Sequence, residues 1–78
     1  MEDKEKTIGE RRVRVDFNVS NSDAATDIKI NGAKMIDVCE AMKPQGYEKV
    51  QPDKLRLISL AQTAYEEATM WAVKAATF

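Results

Sequence analysis

The chain has 78 residues, with 12 lysines and arginines against 13 aspartates and glutamates, for a net charge of −1. It has no histidine and a single cysteine, Cys39. These counts exclude an intrachain disulfide framework, a Cys/His zinc site and a histidine-dependent nucleophile within this chain. The balanced charge argues against a binder of bulk nucleic acid. Composition therefore favours binding or assembly over catalysis.

A core built from so few residues supplies only about 3–5 kcal/mol of stability without a disulfide or a metal. Close helix packing or oligomerisation has to provide the rest. The first six residues are mostly charged, and no apolar run approaches the length of a membrane span. We therefore expect a soluble, cytoplasmic protein.

The N-terminal part of the sequence is polar and predicts an arm. Residues 1–12 have mixed charges and predict a flexible segment. Val13, Val15 and Phe17 then alternate with polar residues, which is a strand-like period. Because no second strand is available to pair with it, we expect an extended arm that lies on another surface.

The first predicted helix covers residues 22–43. Its apolar face is predicted from Ile28, Met35, Cys39 and Met42, which are seven, four and three residues apart, and Ile36 and Val38 broaden this face. Gly32 lies in the middle of this helix and costs about 1 kcal/mol relative to alanine. Either a packed helix, a neighbouring subunit or a ligand approaches the backbone closely at Gly32, or the helix simply tolerates a glycine at this position.

The second predicted helix covers residues 52–76 and begins at Pro52, a residue suited to a first helical turn. The short connection predicts an antiparallel hairpin, and hence an all-α fold. One stripe of the second helix consists mainly of alanines and large apolar residues: Leu57, Ala61, Ala64, Ala68, Trp71 and Ala75.

Further apolar residues lie outside that stripe, and a single partner helix covers only one stripe. Because soluble monomers rarely expose a large apolar patch, we infer self-association. The alternative is that the N-terminal arm covers the second stripe.

Catalytic signatures are weak in this sequence. Glu66 and Glu67 are adjacent, so on a helix they point about 100° apart and cannot share a substrate. Cys39 falls on an apolar face and is interpreted as a buried small hydrophobe. The glycines are too scattered for a phosphate-binding loop. The sequence therefore predicts a protein that is not an enzyme and needs no cofactor or metal.

Cations are concentrated at a few places: Arg12 and Arg14 on the arm, Lys29 on the first helix and Arg56 at the start of the second. These cations either form a solvated surface or, in a symmetric oligomer, recur once in each subunit around a symmetry axis. Two copies of Lys29 or three copies of Arg56 match the symmetry of an anion with two or three phosphates.

Several short segments resemble a known family. They are Arg14-x-x-Phe17, Ile28-Lys29, Gly32-Ala33, Met35-Ile36-Asp37 and the block from Arg56 to Thr77. Together they resemble the phage anti-CBASS sponge family, the second type of anti-CBASS protein, whose hairpin domain is shared with phage anti-Thoeris sponges. The resemblance covers about residues 12–78, and we expect a flexible arm over 1–12 and the sponge domain over 13–78.

The resemblance implies an all-helical homohexamer that acts in the cytoplasm of the infected bacterial host. Such a protein binds cyclic dinucleotides, such as cyclic GMP-AMP, and cyclic trinucleotides in pockets between subunits. It does not cleave them, and the sequestered messengers cannot activate the effector of the defence system. No membrane and no bulk nucleic acid is expected as a partner.

The resemblance also implies roles for particular residues. Lys29 matches a lysine assigned to dinucleotide phosphates, and Phe17 belongs to the motif that follows Arg14. The family often has a base-stacking aromatic residue where this chain has Arg12-Val13-Arg14. Arg56 matches an arginine assigned to trinucleotide phosphates, with Asn31 as its expected neighbour.

Two alternatives remain open at this point. One is a sponge for the cyclic ADP-ribose messengers of Thoeris defence. The other is a small helical assembly factor whose basic arm contacts DNA or a partner protein.

Overall fold

Three helices make up the part of the chain that the computed structural model describes, residues 5–16, 23–46 and 48–78. They are α1 (Ile8–Val13), α2 (Asp23–Ala41) and α3 (Pro52–Ala76), and these residues contain no strand. The predicted all-helical class is confirmed, and the predicted helices over 22–43 and 52–76 are present, the first slightly shorter than expected.

The α2 and α3 helices form an antiparallel hairpin. Gly32 of α2 lies against Thr69 of α3, whereas Ile36, further along α2, accepts a hydrogen bond through its carbonyl oxygen from Gln62 Nε2 at 3.2 Å. The contacts thus move backwards along α3 as they move forwards along α2. A Cβ atom at position 32 would overlap the Thr69 hydroxyl, so Gly32 marks a close approach of the two helices.

Residues 8–13 form α1. The flexible segment predicted over 1–12 is therefore helical from Ile8 onwards, and the extended arm predicted from the alternation is wrong at Val13. Thr7 and Glu10 build a capping box: Thr7 Oγ1 accepts from the Glu10 backbone N–H at 3.0 Å, and Glu10 Oε1 accepts from the Thr7 N–H at 2.9 Å. These two hydrogen bonds start a helix that the apolar alternation did not indicate. Phe17, the last residue of the predicted alternation, lies outside the described residues.

Helix α1 docks on α2 through a glycine. The Gly9 backbone N–H donates to Asp37 Oδ1 at 2.8 Å, and a Cβ atom at position 9 would overlap the Ala33 carbonyl oxygen. Val13, at the end of α1, is buried against Ala33 and Ile36. A short segment that cannot form a stable helix alone is thereby held by tertiary contacts.

The apolar face predicted for α2 is wrong in part. Ile36 and Cys39 are buried and Ile28 is half-buried, whereas Met35, Val38 and Met42 are exposed. Because α1 and α3 approach α2 closely, it is the side with small residues that turns inwards. The buried residues of α2 are Ala25, Lys29, Ala33, Ile36 and Cys39.

Helix α3 turns a partly polar side towards α2, since its buried residues are Ile58, Gln62 and Thr69. The alanine-rich stripe predicted from the sequence points away, and Leu57 and Trp71 within it are each 58% exposed. We call this set the outer stripe: Leu57, Ala61, Ala64, Ala68, Trp71 and Ala75.

The molecule is flat, since its Cα trace extends over 44 Å and 33 Å in two directions and over 12 Å in the third. None of the described helices combines the length and the apolar character needed to span a bilayer.

Candidate functional site

A pocket of about 280 Å³ lies where all three helices meet. Its walls come from the end of α1, the first half of α2 and the second half of α3. The lining residues are Arg12, Val13, Arg14, Lys29, Glu66, Thr69, Met70 and Val73.

Arg14 shapes the α1 side of the pocket. It adopts a left-handed backbone conformation (φ 55°), which is uncommon for a residue other than glycine, and its N–H donates to the Arg11 carbonyl oxygen at 3.2 Å. This conformation ends α1 and turns the chain. The Arg14 side chain remains exposed beside the pocket.

Lys29 joins α2 to that turn. Its side chain is only 6% exposed, and its ammonium group donates to the Arg14 carbonyl oxygen at 3.1 Å. A buried ammonium group is tolerated only where acceptors satisfy it. The lysine therefore fixes the end of α1 and also brings a positive charge to the wall of the pocket.

The α3 wall was not predicted from the sequence. Glu66, Thr69, Met70 and Val73 follow one another at helical spacing and form one face of the helix. The Thr69 hydroxyl donates to the Tyr65 carbonyl oxygen at 2.7 Å, so this buried hydroxyl is satisfied within its own helix. The spacing was visible in the sequence, but nothing there showed that this face lies opposite Lys29.

The structure brings four of the predicted site residues together, namely Arg12, Val13, Arg14 and Lys29. Asn31 is exposed and lies two residues after Lys29, which turns it about 200° away around α2.

Arg56 is exposed near the start of α3, about 15 Å along the helix axis from Glu66. Asn31 and Arg56 therefore lie outside the pocket. Within one chain they also lie far from each other, because Asn31 is near the middle of α2 and Arg56 is near the connection between α2 and α3.

The pocket combines three cationic residues and one carboxylate with the apolar surfaces of Val13, Met70 and Val73. Such a site can hold an anion at one wall and an apolar or aromatic group at the other. No group of three or more metal-ligating side chains occurs among residues 5–16, 23–46 and 48–78.

A comparison with protein families matches residues 9–77 to the family described as Acb2/Tad1, hairpin domain. The chain belongs to this family. The match covers α2 and α3 in full and α1 from Gly9 onwards, and it confirms the family that the sequence motifs resemble. Searches of curated proteins and of solved structures found no match to the chain.

Membership of the Acb2/Tad1 hairpin family identifies the chain as a phage sponge domain for cyclic nucleotide messengers. A sponge acts by binding, so the site has to supply complementarity to phosphate and base. The pocket at the three helices has suitable groups for both: cations from α1 and α2, and apolar side chains from α1 and α3.

Proposed function

We propose that the chain sequesters the cyclic dinucleotides, such as cyclic GMP-AMP, and the cyclic trinucleotides that serve as CBASS messengers, and that it does not cleave them. The observation that carries this proposal is the meeting of Arg12, Arg14 and Lys29 at one pocket of a sponge domain. Arginine binds phosphate through a planar fork, and lysine binds it as a point charge. In the cytoplasm of the infected host, the bound messenger is withheld from its effector.

The size of the pocket supports a site shared between subunits. Its volume of about 280 Å³ lies at the lower limit of the roughly 300–1,000 Å³ that drug-sized ligands occupy. One chain therefore offers room for about one nucleotide of a cyclic dinucleotide. A second copy related by a two-fold axis would supply the same cations for the second phosphate.

The outer stripe supports self-association. Leu57 and Trp71 are more than half exposed, so the rest of the described residues gives them little cover. Exposed apolar surface of this kind usually marks a protein interface. The proposed assembly is the homohexamer that the family resemblance implies.

We assign cyclic trinucleotides to a second site that contains Arg56. A three-fold axis would bring three copies of this exposed arginine together, one for each phosphate. Because Asn31 lies roughly 20 Å from Arg56 along one hairpin, it would have to come from a neighbouring copy.

The test combines binding with recovery of the ligand. Cyclic GMP-AMP should raise the melting temperature of the protein, because a ligand that binds only the folded state stabilises it. After heat release, chromatography should return the intact cyclic nucleotide. Recovery of a linear or cleaved product would instead show that the chain is a nuclease.

Lys29→Met keeps the buried stem and removes the charge, and it should weaken cyclic GMP-AMP binding at least tenfold. Lys34→Met is the matched control, since Lys34 is exposed on α2 and does not line the pocket. Equal affinity of the two variants would remove Lys29 from the site. Arg56→Ala should weaken cyclic trinucleotide binding and leave cyclic GMP-AMP binding intact.

The family description also names the anti-Thoeris branch, so a cyclic ADP-ribose messenger is the second candidate ligand. Calorimetry against cyclic GMP-AMP, a cyclic trinucleotide and a cyclic ADP-ribose separates the two. Affinity for the last ligand alone would favour the Thoeris interpretation. Binding to duplex DNA that weakens steeply with salt would instead support the basic-arm hypothesis.

A further inference from the structure

Among the described residues, Glu66 differs from the other partly buried carboxylates. Glu10 accepts from the Thr7 N–H, Asp37 accepts from the Gly9 N–H, and Glu40 accepts from both Gln62 and Lys43. Glu66 is also partly buried, yet among the described residues it has no hydrogen bond or ion pair. The carboxylate at the pocket wall is therefore left without a protein partner.

The side chains around Glu66 offer it no hydrogen-bond donor. The same wall carries Met70 and Val73, which provide no donor, and Thr69 gives its hydroxyl proton to the Tyr65 carbonyl oxygen. Glu66 is only partly buried, so its carboxylate oxygens still reach water. A ligand that displaces this water from the pocket has to bring hydrogen-bond donors of its own, because a carboxylate without any partner destabilises the complex.

We propose that Glu66 selects a guanine base in the pocket, a proposal that rests on the function proposed above. A carboxylate only accepts hydrogen bonds, through two oxygen atoms side by side. The Watson–Crick edge of guanine carries two adjacent donors, the N1–H and the N2 amino group. The two fit together as a pair of parallel hydrogen bonds.

Other bases fit this carboxylate less well. Adenine offers one amino donor beside the N1 acceptor, so the second carboxylate oxygen faces a lone pair. Uracil offers one N–H between two carbonyl oxygens. A ligand that covers the carboxylate without pairing with it leaves a polar group unsatisfied, and a site of this kind discriminates strongly against such a ligand.

The arrangement of the pocket agrees with this role. Arg12, Arg14 and Lys29 come from α1 and α2, whereas Glu66 comes from α3. Phosphate and base edge therefore have separate walls, so the carboxylate does not have to face the phosphate. Met70 and Val73 flank Glu66 with apolar surface on which the face of a purine can pack.

The test uses calorimetry with cyclic di-GMP, cyclic di-AMP and the inosine analogue cyclic di-IMP, which lacks the N2 amino group. The unmodified protein should bind cyclic di-GMP about tenfold to a hundredfold more tightly than cyclic di-AMP, the range for a bidentate base contact. Cyclic di-IMP should fall between them. Glu66→Gln, which has only one acceptor oxygen, should reduce the preference for cyclic di-GMP to near unity.

Glu67→Gln is the matched control, because Glu67 is exposed and absent from the pocket wall. This variant should keep the full preference for guanine.

Equal affinity of the unmodified protein for cyclic di-GMP and cyclic di-AMP would overturn the role of Glu66 and leave the sponge function intact. A lower molar mass of Glu66→Gln would also overturn it, because Glu66 would then pair with a cation of a neighbouring copy. Failure of all three dinucleotides to bind would remove the proposed dinucleotide function itself, and with it the role of Glu66.

Discussion

The two sides of α3 have opposite character. The side that faces α2 buries Gln62 and Thr69, both polar, while the outer stripe exposes Leu57 and Trp71. In most soluble monomers the apolar side of a helix is the buried one. Here the greater part of the large apolar surface of α3 is left outside the hairpin.

The two sides of α3 have different roles: one fixes the hairpin, and the other is available for association. Gln62 is 1% exposed and donates through Nε2 to the Ile36 carbonyl oxygen and to Glu40 Oε1 at 2.9 Å, so it fixes how α3 sits on α2. Every buried side-chain nitrogen and oxygen of the described residues has a partner. Directional hydrogen bonds thus specify the hairpin, and apolar area remains for association between copies.

The largest effect is expected from the outer stripe. Leu57→Glu adds a charge to the exposed apolar surface and should dissociate the proposed assembly, because a buried unpaired charge at an interface costs several kcal/mol. Light scattering should show the molar mass falling towards 8.8 kDa, the mass of one chain.

The matched control for this substitution is Thr63→Glu. Thr63 is exposed on α3 and lies outside the outer stripe. If both variants keep the mass of the unmodified protein, the outer stripe is not an interface. If both dissociate, the interface is wider than this stripe.

The next largest effect is expected on the pocket side, from Gly9→Ala. The added Cβ would overlap the Ala33 carbonyl oxygen, a backbone atom that cannot move aside. Helix α1 should therefore undock and carry Arg12 and Arg14 away from Lys29. Binding of cyclic GMP-AMP should fall at least tenfold, while α2 and α3 keep their far-ultraviolet circular dichroism.

Arg11→Ala serves as the control, since Arg11 is exposed on α1 and does not line the pocket. Hydrogen exchange distinguishes the two variants. Only Gly9→Ala should lose protection at the amides of α1, and retained protection in this variant would contradict the docking role of Gly9.

The sequence predicted the two long helices well, because length, Pro52 and the connection between them are local signals. It did not predict which side of each helix is buried. Apolar periodicity assigned Met35 and Met42 to the core, yet glycine and alanine set how closely the helices approach. Likewise, the capping residues Thr7 and Glu10 begin a helix in a segment whose polar composition had predicted flexibility.

Some residues of the candidate site could also be predicted from the sequence, and others could not. Arg12, Val13, Arg14 and Lys29 came from matching motifs, and the pocket unites them. The role of Glu66 could not be predicted, because it depends on which face of α3 opposes α2. Asn31 and Arg56 stay predictions, since their proposed site needs neighbouring copies.

A moderate effect is expected where the hairpin is tightest. Gly32→Ala would overlap the Thr69 hydroxyl and should lower the free energy of unfolding by about 1–3 kcal/mol, less the helix propensity that alanine gains. Thr69→Ala removes the overlapping atom and should restore much of this loss in the double variant. Additive effects in urea denaturation would show that the two residues do not interact.

The smallest effect is expected from pH. Hydrogen bonds from Gln62 and then Lys43 hold the pKa of Glu40 below its ordinary value of 4.5. A lowered folded-state pKa stabilises the protein above the unfolded value, and this contribution is lost as the pH falls through the folded value. Because the Glu40 side chain is 40% exposed, water screens the effect, and we expect less than about 1 kcal/mol.

Glu40→Gln keeps an acceptor for Gln62 but does not titrate, so its unfolding free energy should lie slightly below that of the unmodified protein near neutral pH. The two values should converge in acid, below the range in which Glu40 ionises. If the difference in unfolding free energy between the two proteins stays constant down to strongly acidic pH, the interaction with Gln62 does not depend on the charge of Glu40.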